Sequence, residues 1–137
     1  MSLFGVFDVA GSALSAQSIR LNVTSSNLAN AETVSSSTEQ TYRARHPVFA
    51  TVMDPFLENA HQAGVKVKGI VESKAELRQR YEPDHPLADE KGYIHLPNVN
   101  VVEEMANMIS ASRSYQSNVE VMNTSKQLML ATLRMGQ

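Results

Sequence analysis

Cysteine is absent from this chain, and so is tryptophan. Without cysteine there can be no disulfide framework, no cysteine-based zinc site and no thiol nucleophile. Aromatic residues make up only 6% of the 137 residues, which is little material for a thick core in a small domain. We therefore expect a fold with a small hydrophobic core, which takes part of its stability from contacts with partners.

The sequence has neither a concentrated basic surface nor a long hydrophobic segment. Its formal net charge is −2 and its Lys and Arg residues are scattered, whereas a protein that binds duplex DNA needs a basic face. No segment approaches the roughly 18 consecutive apolar residues of a membrane span. We therefore expect no nucleic-acid partner and no membrane span.

The first residues do not have the composition of a cleavable secretory signal. Such a signal begins with a basic region and continues with an apolar stretch. Here no Lys or Arg occurs before Arg20, and Asp8 interrupts the apolar residues. If the protein leaves the cytoplasm, we expect it to do so without cleavage of a signal peptide.

Proline is missing from both ends of the chain, since all five prolines lie between Pro47 and Pro97. Because proline disrupts the interior of a helix, long helices are permitted at the ends and disfavoured in the middle. The sequence thus predicts an α+β protein in three parts. These are an N-terminal helix in residues 1–32, a linker and small β unit in residues 33–97, and a C-terminal helix in residues 98–137.

The N-terminal part has an apolar series that predicts a helix from about Leu3 to Ala31. The residues that flank this series are Ser, Asn, Thr and Gln rather than charged residues, which is poorly suited to full exposure. A seven-residue spacing is typical of a helix that packs against another helix. The series consists of Phe7, Leu14, Leu21 and Leu28.

The C-terminal part has a start signal followed by a second apolar series. Asn100 can cap a helix, and Glu103 follows three residues later as in a capping box. A helix from there to Arg134 would span roughly 50 Å and must bury its apolar positions against another long helix. We therefore predict a coiled-coil-like pair of end helices, with neighbouring copies as further partners. The positions are Val101, Met105, Met108, Tyr115, Val119, Met122, Met129 and Leu133.

The middle part is predicted to be a small antiparallel β unit with long loops. Residues 65–72 begin with alternating apolar and charged side chains, as a strand does. Residues 42–49 are expected to be extended, because Pro47 biases the preceding residue away from helix. Residues 88–92 are predicted to turn into a strand at residues 93–96.

Few residues are arranged for chemistry. No two histidines have the i, i+4 spacing of a helical metal motif, and the sequence contains no nucleophile elbow or phosphate-binding glycine loop. Asp84, His85 and Asp89 lie close together and could contact a metal, but a polar loop held by Pro83 and Pro86 explains them better. We therefore expect no catalytic site, no cofactor, no metal and no small-molecule substrate.

Three segments resemble those of a known family, the axial proteins of the bacterial flagellar rod and hook. Residues 26–33, Ser-Asn-Leu-Ala-Asn-Ala-Glu-Thr, resemble the signature near the N-terminus of these proteins. Residues 81–93 and the residues that follow them resemble a segment of a proximal-rod subunit, and residues 110–118 match its C-terminal helix. The signature positions are Asn27, Leu28, Ala29, Asn30, Pro83, Pro86, Gly92, Tyr93, Pro97 and Asn98.

This resemblance implies a structural subunit of the proximal rod of the flagellar basal body, in the periplasm. Such a subunit would be exported by the flagellar type III apparatus and would polymerise helically with other rod proteins and with copies of itself. Its end helices would form the inner wall around the export channel, and its middle part would face outward. The resulting drive shaft would transmit torque to the hook and so support motility.

Two alternatives belong to other functional classes. One is a soluble helical adaptor or chaperone-like binding module in the cytoplasm. The other is a small hydrolase or metal enzyme, which would need a convergent polar pocket in the middle part.

Overall fold

The computed structural model describes residues 3–52 and 63–136. Along the chain, one long helix precedes four short strands, and a second long helix follows them. This arrangement confirms the predicted α+β class. No helix among the described residues is long and apolar enough to span a membrane. The elements are α1 (Leu3–Ala29), β1 (Arg45–Val52), β2 (Gly64–Glu72), β3 (Arg78–Tyr81), β4 (Tyr93–Leu96) and α2 (Val101–Met135).

Helix α2 begins where the capping residue predicts. The side-chain oxygen of Asn100 accepts hydrogen bonds from the backbone N–H groups of Val102 (3.1 Å) and Glu103 (3.4 Å). These bonds satisfy two of the N–H groups that have no partner inside the helix. Glu103 and Glu104 in the first turn also interact favourably with the helix dipole. The 35 residues of α2 give it a length of roughly 52 Å.

The two helices pack on one another, as predicted for the end helices. Helix α1 is the element that α2 contacts among the described residues, and two of the three buried residues of α2, Ala111 and Ser125, are small. Small side chains allow two helix backbones to approach closely. One polar contact crosses between the helices, because Nη2 of Arg20 donates to Oδ1 of Asn107 at 3.0 Å.

The strands of the middle part form two separate antiparallel sheets, which agrees with the small antiparallel β unit that the sequence predicts. In the first sheet, β1 and β2 pair from Arg45 opposite Glu72 to Val52 opposite Gly64, with a bulge after Val48. In the second, β3 pairs with β4. Strand β3 was not predicted, because its residues Arg-Gln-Arg-Tyr do not alternate between apolar and polar. All four are exposed in the structure.

The best-buried residues of the middle part lie where α1 ends and α2 begins. Ile94 and Leu96 of β4 are buried there, and Val99 packs with Ala31 and Ala44 in a small apolar cluster. The backbone of Ser35, in the linker after α1, pairs with the backbone of His95 through two hydrogen bonds of 3.0 Å. The core therefore fixes the end of α1, the middle part and the start of α2 relative to one another.

Candidate assembly surfaces

Asn27 is a signature residue that holds strand β1 against helix α1. Its side chain is fully buried. Oδ1 accepts hydrogen bonds from the backbone N–H of Arg45 (2.9 Å) and from the hydroxyl of Tyr42 (2.8 Å), and Nδ2 donates to the carbonyl of Arg45 (2.8 Å). The amide thus satisfies both backbone groups of one residue, as a neighbouring strand would.

Asn98 performs a similar role just before α2. Its Oδ1 accepts a hydrogen bond from the backbone N–H of Ala44 at 2.8 Å. Its Nδ2 donates to the carbonyls of Ser73 (3.4 Å) and Ala75 (2.9 Å). Together with the fully buried Pro97, this side chain joins the entry to α2 with the segments on either side of the first sheet.

Arg78 in β3 completes the junction between the helices. Its guanidinium donates to the carbonyls of Pro97 and Ala31, each at 3.0 Å, and lies 3.7 Å from the carboxylate of Glu32. We refer to Asn27, Arg78 and Asn98, with the backbone groups they bind, as the junction. The polar side chains of the junction bind backbone groups of separate segments. The sequence analysis did not identify Arg78 as one of these residues.

The other residues of the N-terminal signature have less buried positions. Leu28 is half-buried and Ala29 is exposed. Nδ2 of Asn30 donates to the carbonyl of Ser26 at 2.8 Å, one turn earlier in the chain. Asn27 is therefore the member of this group that links separate elements.

Residues 81–93, which we call the aromatic loop, are held by a tight turn at Gly92. The φ of Gly92 is +81°, and a Cβ at this position would lie 2.9 Å from Cε2 of Tyr81. Glycine alone tolerates both this φ and this close approach. The rings of Tyr81 and Tyr93 meet edge to face with centroids 5.2 Å apart, while Pro83 and Pro86 are exposed.

Asp89 and His85 use their acceptor atoms within the aromatic loop. The hydrogen bond from the backbone N–H of Tyr93 (2.8 Å) is the main reason that the pKa of Asp89 is lowered. Burial opposes this effect, and the N–H of Lys91 (2.9 Å) and the charges of His95 and Lys91 add to it. Nδ1 of His85 accepts from the N–H of Leu87 at 3.1 Å. In the part of the chain that the structure describes, no three acidic or histidine side chains converge as a metal site requires.

The predicted interface residues fall into two groups by exposure. Some of these side chains are half-buried in the single chain, and the others are exposed. The exposed group, all on α2, is Met105, Tyr115, Val119 and Leu133. The half-buried group is Phe7, Leu14, Leu21 and Leu28 on α1 and Val101, Met108, Met122 and Met129 on α2.

The sequence did not reveal which α2 residues are buried most deeply within the chain. These are Glu104, Ala111 and Ser125, three positions after residues of the predicted apolar series rather than four. Glu104 and Ala111 are seven residues apart, and Ser125 lies fourteen further on. This spacing in multiples of seven could have identified the packed face of α2. Because the side chains are small or polar, a search for apolar residues does not find it.

Further apolar side chains of α2 have no cover in the described part of the chain. Leu133 is 64% exposed and Met135 is 81% exposed. They emerge on more than one side of the helix, since Val121, Leu128 and Met135 form a seven-residue series distinct from that of Met105, Val119 and Leu133. Other exposed members are Val102, Ile109 and Leu130.

Comparison with known proteins connects these features to a family. Residues 7–34 match a family model described as flagella basal body rod protein, and residues 90–135 match one described as flagellar basal body rod FlgEFG protein C-terminal. The matched segments contain Asn27 and Asn98 of the junction, and most of α1 and α2.

Full-length relatives bear one common name, flagellar basal-body rod protein FlgC. The chain is 56% identical to the relative from Escherichia coli O6:H1, 55% to that from Yersinia enterocolitica and 53% to that from Salmonella typhimurium. Each alignment spans 137 residues and covers 100% of both chains. The resemblance seen in the sequence is thereby confirmed, and the chain belongs to the FlgC family of flagellar basal-body rod proteins, as a structural subunit of the rod.

Proposed function

We propose that this rod subunit acts in the proximal rod, where it polymerises helically with other rod proteins and with copies of itself. In this proposal α1 and α2 form the inner wall around the export channel, and residues 33–97 face outward. The junction keeps these parts in a fixed relation, which suits a shaft that transmits torque to the hook. Motility depends on this assembly.

The exposed apolar side chains of α2 are the observation that carries the proposal. Burial of apolar surface is worth about 25 cal/mol per Å², so covering several such residues would provide a substantial driving force for association. A single chain leaves Leu133 and Met135 mostly open to solvent. Large apolar side chains that one chain leaves exposed on more than one side of a helix are available for contacts with several neighbours.

The two groups of predicted interface residues have different parts in this proposal. One group is exposed in the single chain, and in the proposed rod neighbouring subunits would cover it. Its members here are Met105, Val119 and Leu133. Leu14, Leu21 and Leu28 of α1 are half-buried in the single chain, and a neighbour would complete their burial. Interface positions that are already exposed can be substituted without loss of contacts inside the subunit.

We also propose a periplasmic location reached through the flagellar type III export apparatus, without cleavage of a signal peptide. The support is membership of the rod family together with the lack of basic residues before Arg20. Intact mass of the protein from purified basal bodies tests this. The mass should correspond to the full chain, apart from loss of Met1, and a shortfall the size of a signal peptide would contradict it.

We infer that the chain is not an enzyme. The polar side chains of the junction and of the aromatic loop bind backbone groups of their own chain. A catalytic site requires such groups to converge on a position that a substrate can occupy. The adaptor alternative is less well supported, because the relatives that match over the full chain are named as rod proteins.

Placing a charge on the exposed apolar face of α2 tests the proposal. Leu133→Asp and Met105→Asp should each leave the isolated chain folded, because both side chains are exposed. Each should block rod completion, since an unpaired carboxylate would be buried in a contact repeated in every copy. Motility and electron microscopy of basal bodies measure the outcome, with Gln127→Asp as the control. Normal rods in both variants would contradict the proposal.

A further inference from the structure

The aromatic loop is held by many hydrogen bonds of its own, although it is exposed. Its carbonyls and N–H groups bond to one another, as when Glu82 N–H donates to Gly92 (2.9 Å) and Asp89 N–H donates to Tyr93 (2.8 Å). The carboxylate of Asp89 binds two further N–H groups, and Arg80 pairs with Glu82 at 2.8 Å. A segment that is already ordered loses little conformational entropy when a partner binds.

This hydrogen-bonded loop presents apolar side chains to solvent. Tyr81 is 60% exposed, and Tyr93 and Leu87 are also exposed. Tyrosine provides a large contact area at low entropic cost and is enriched in the central residues of interfaces. The contact between the rings of Tyr81 and Tyr93 leaves much of both side chains open to solvent.

The loop is also acidic. Residues 82–92 contain four carboxylates, on Glu82, Asp84, Asp89 and Glu90, against the single ammonium of Lys91. A surface that fits the loop should therefore combine apolar residues with positive charge.

The first sheet carries such a surface. Side chains alternate across a strand, so His46, Val48, Ala50 and Val52 share one face of β1. The register places Val71 and Lys66 of β2 on the same face, opposite His46 and Ala50. We call this the valine face. Its three valines and Lys66 are exposed, and Lys68 lies at the bulge beside it.

The charge of the first sheet complements that of the loop. Among residues 45–52 and 64–72 the only carboxylate is Glu72, and it pairs with Arg45 at 3.2 Å. Lys66 and Lys68 have no ion-pair partner in the described part of the chain. Two ammonium groups are therefore available beside an apolar face.

We propose that the aromatic loop of one copy docks on the valine face of a second copy of this chain. Among the described residues, the strands of the two sheets make no contact within one chain, so we place the loop and the valine face of this contact on different copies. Because the two surfaces differ, each copy can offer one and accept the other, and the contact can repeat along an assembly. This inference rests on the proposed function and specifies one contact between neighbouring copies.

Cross-linking provides the first test, because the chain contains no cysteine of its own. The variant with both Leu87→Cys and Val71→Cys should form disulfide-linked multimers in purified basal bodies under oxidising conditions. Each single variant can give at most dimers, and Leu87→Cys combined with Ser117→Cys on α2 is the matched control pair. Rods that contain the double variant without a ladder of multimers, or with a ladder equal to that of the control pair, would overturn the inference.

Charge exchange provides a second test that does not depend on cysteine. Asp84→Lys with Glu90→Lys should reduce swimming speed several-fold, and Lys66→Glu with Lys68→Glu should do the same. All four substitutions in one chain should restore swimming towards the wild-type speed, because both surfaces are then reversed. Wild-type swimming of the two partial variants, or no recovery in the combined variant, would overturn the inference.

The same preparations separate this inference from the proposed function. If the chain is present in intact rods but the cross-link and the charge rescue both fail, the proposed contact is wrong and the rod assignment remains. If the unsubstituted chain is absent from purified rods, the proposed function itself fails.

Discussion

At the scale of single residues, Asn27 has the most consequential side chain in the junction. Its amide supplies three hydrogen bonds that would otherwise require a paired strand or water. We expect Asn27→Ala to destabilise the chain by roughly 1–3 kcal/mol, because backbone groups of Arg45 would lose their partners. Urea denaturation followed by circular dichroism measures the change in the free energy of unfolding.

The matched control is Asn123→Ala, at an exposed position of α2. This substitution should change the free energy of unfolding by no more than about 0.5 kcal/mol. Equal stability of the two variants would show that Asn27 does not hold β1 in place.

Gly92 and Gly11 should respond to alanine with opposite signs. Gly92→Ala should cost about 1–3 kcal/mol, because the φ of +81° is unfavourable for alanine and the new Cβ would crowd Tyr81. Gly11→Ala should stabilise the chain by about 0.5–1 kcal/mol, since Gly11 lies inside α1 with open space around it. Thermal denaturation of both variants measures the two effects, and a stable Gly92→Ala variant would contradict the account of the turn.

At the scale of elements, the contact between α1 and α2 depends on the small size of its residues. Ala111 is 0% exposed, so Ala111→Leu should overpack the contact and destabilise the chain by about 1–3 kcal/mol. Ala106→Leu, at an exposed position of the same helix, is the control and should be nearly neutral. Chemical denaturation measures the free energy of unfolding of both variants. An unchanged value for Ala111→Leu would show that the helices are not closely packed at this position.

The sequence predicted the existence and limits of both helices well, because their signals are local. Asn100 marks the start of α2, and the absence of proline allows its length. The packed face of α2 was not predicted, because apolar periodicity selected Met105 and Val119 while the chain itself buries Glu104 and Ser125. In a subunit built for assembly, apolar residues need not mark the face that packs within one chain.

The middle part was predicted less well, because its structure depends on contacts between distant residues. Strand β3 has no alternating pattern and pairs through its backbone with β4. The junction likewise joins residues far apart in sequence, and Arg78 has no local signal for its bonds to Ala31 and Pro97. The family signature identified Asn27 and Asn98 without revealing what their amides bind.

At the scale of the whole molecule, the chain combines a tightly bonded junction with apolar surfaces that a single copy does not cover. The first property fixes the relation between the helices and the sheets. In the assembly that we propose, the second would supply free energy for association with neighbours. Both are expected of a structural subunit of the rod.

The most direct test of this account is a three-dimensional reconstruction of the intact basal body. We expect the chain to lie in the proximal rod with Met105, Leu133 and Met135 packed against helices of neighbouring subunits. A reconstruction in which the chain lies outside the rod, or in which these α2 side chains face solvent within it, would contradict the account.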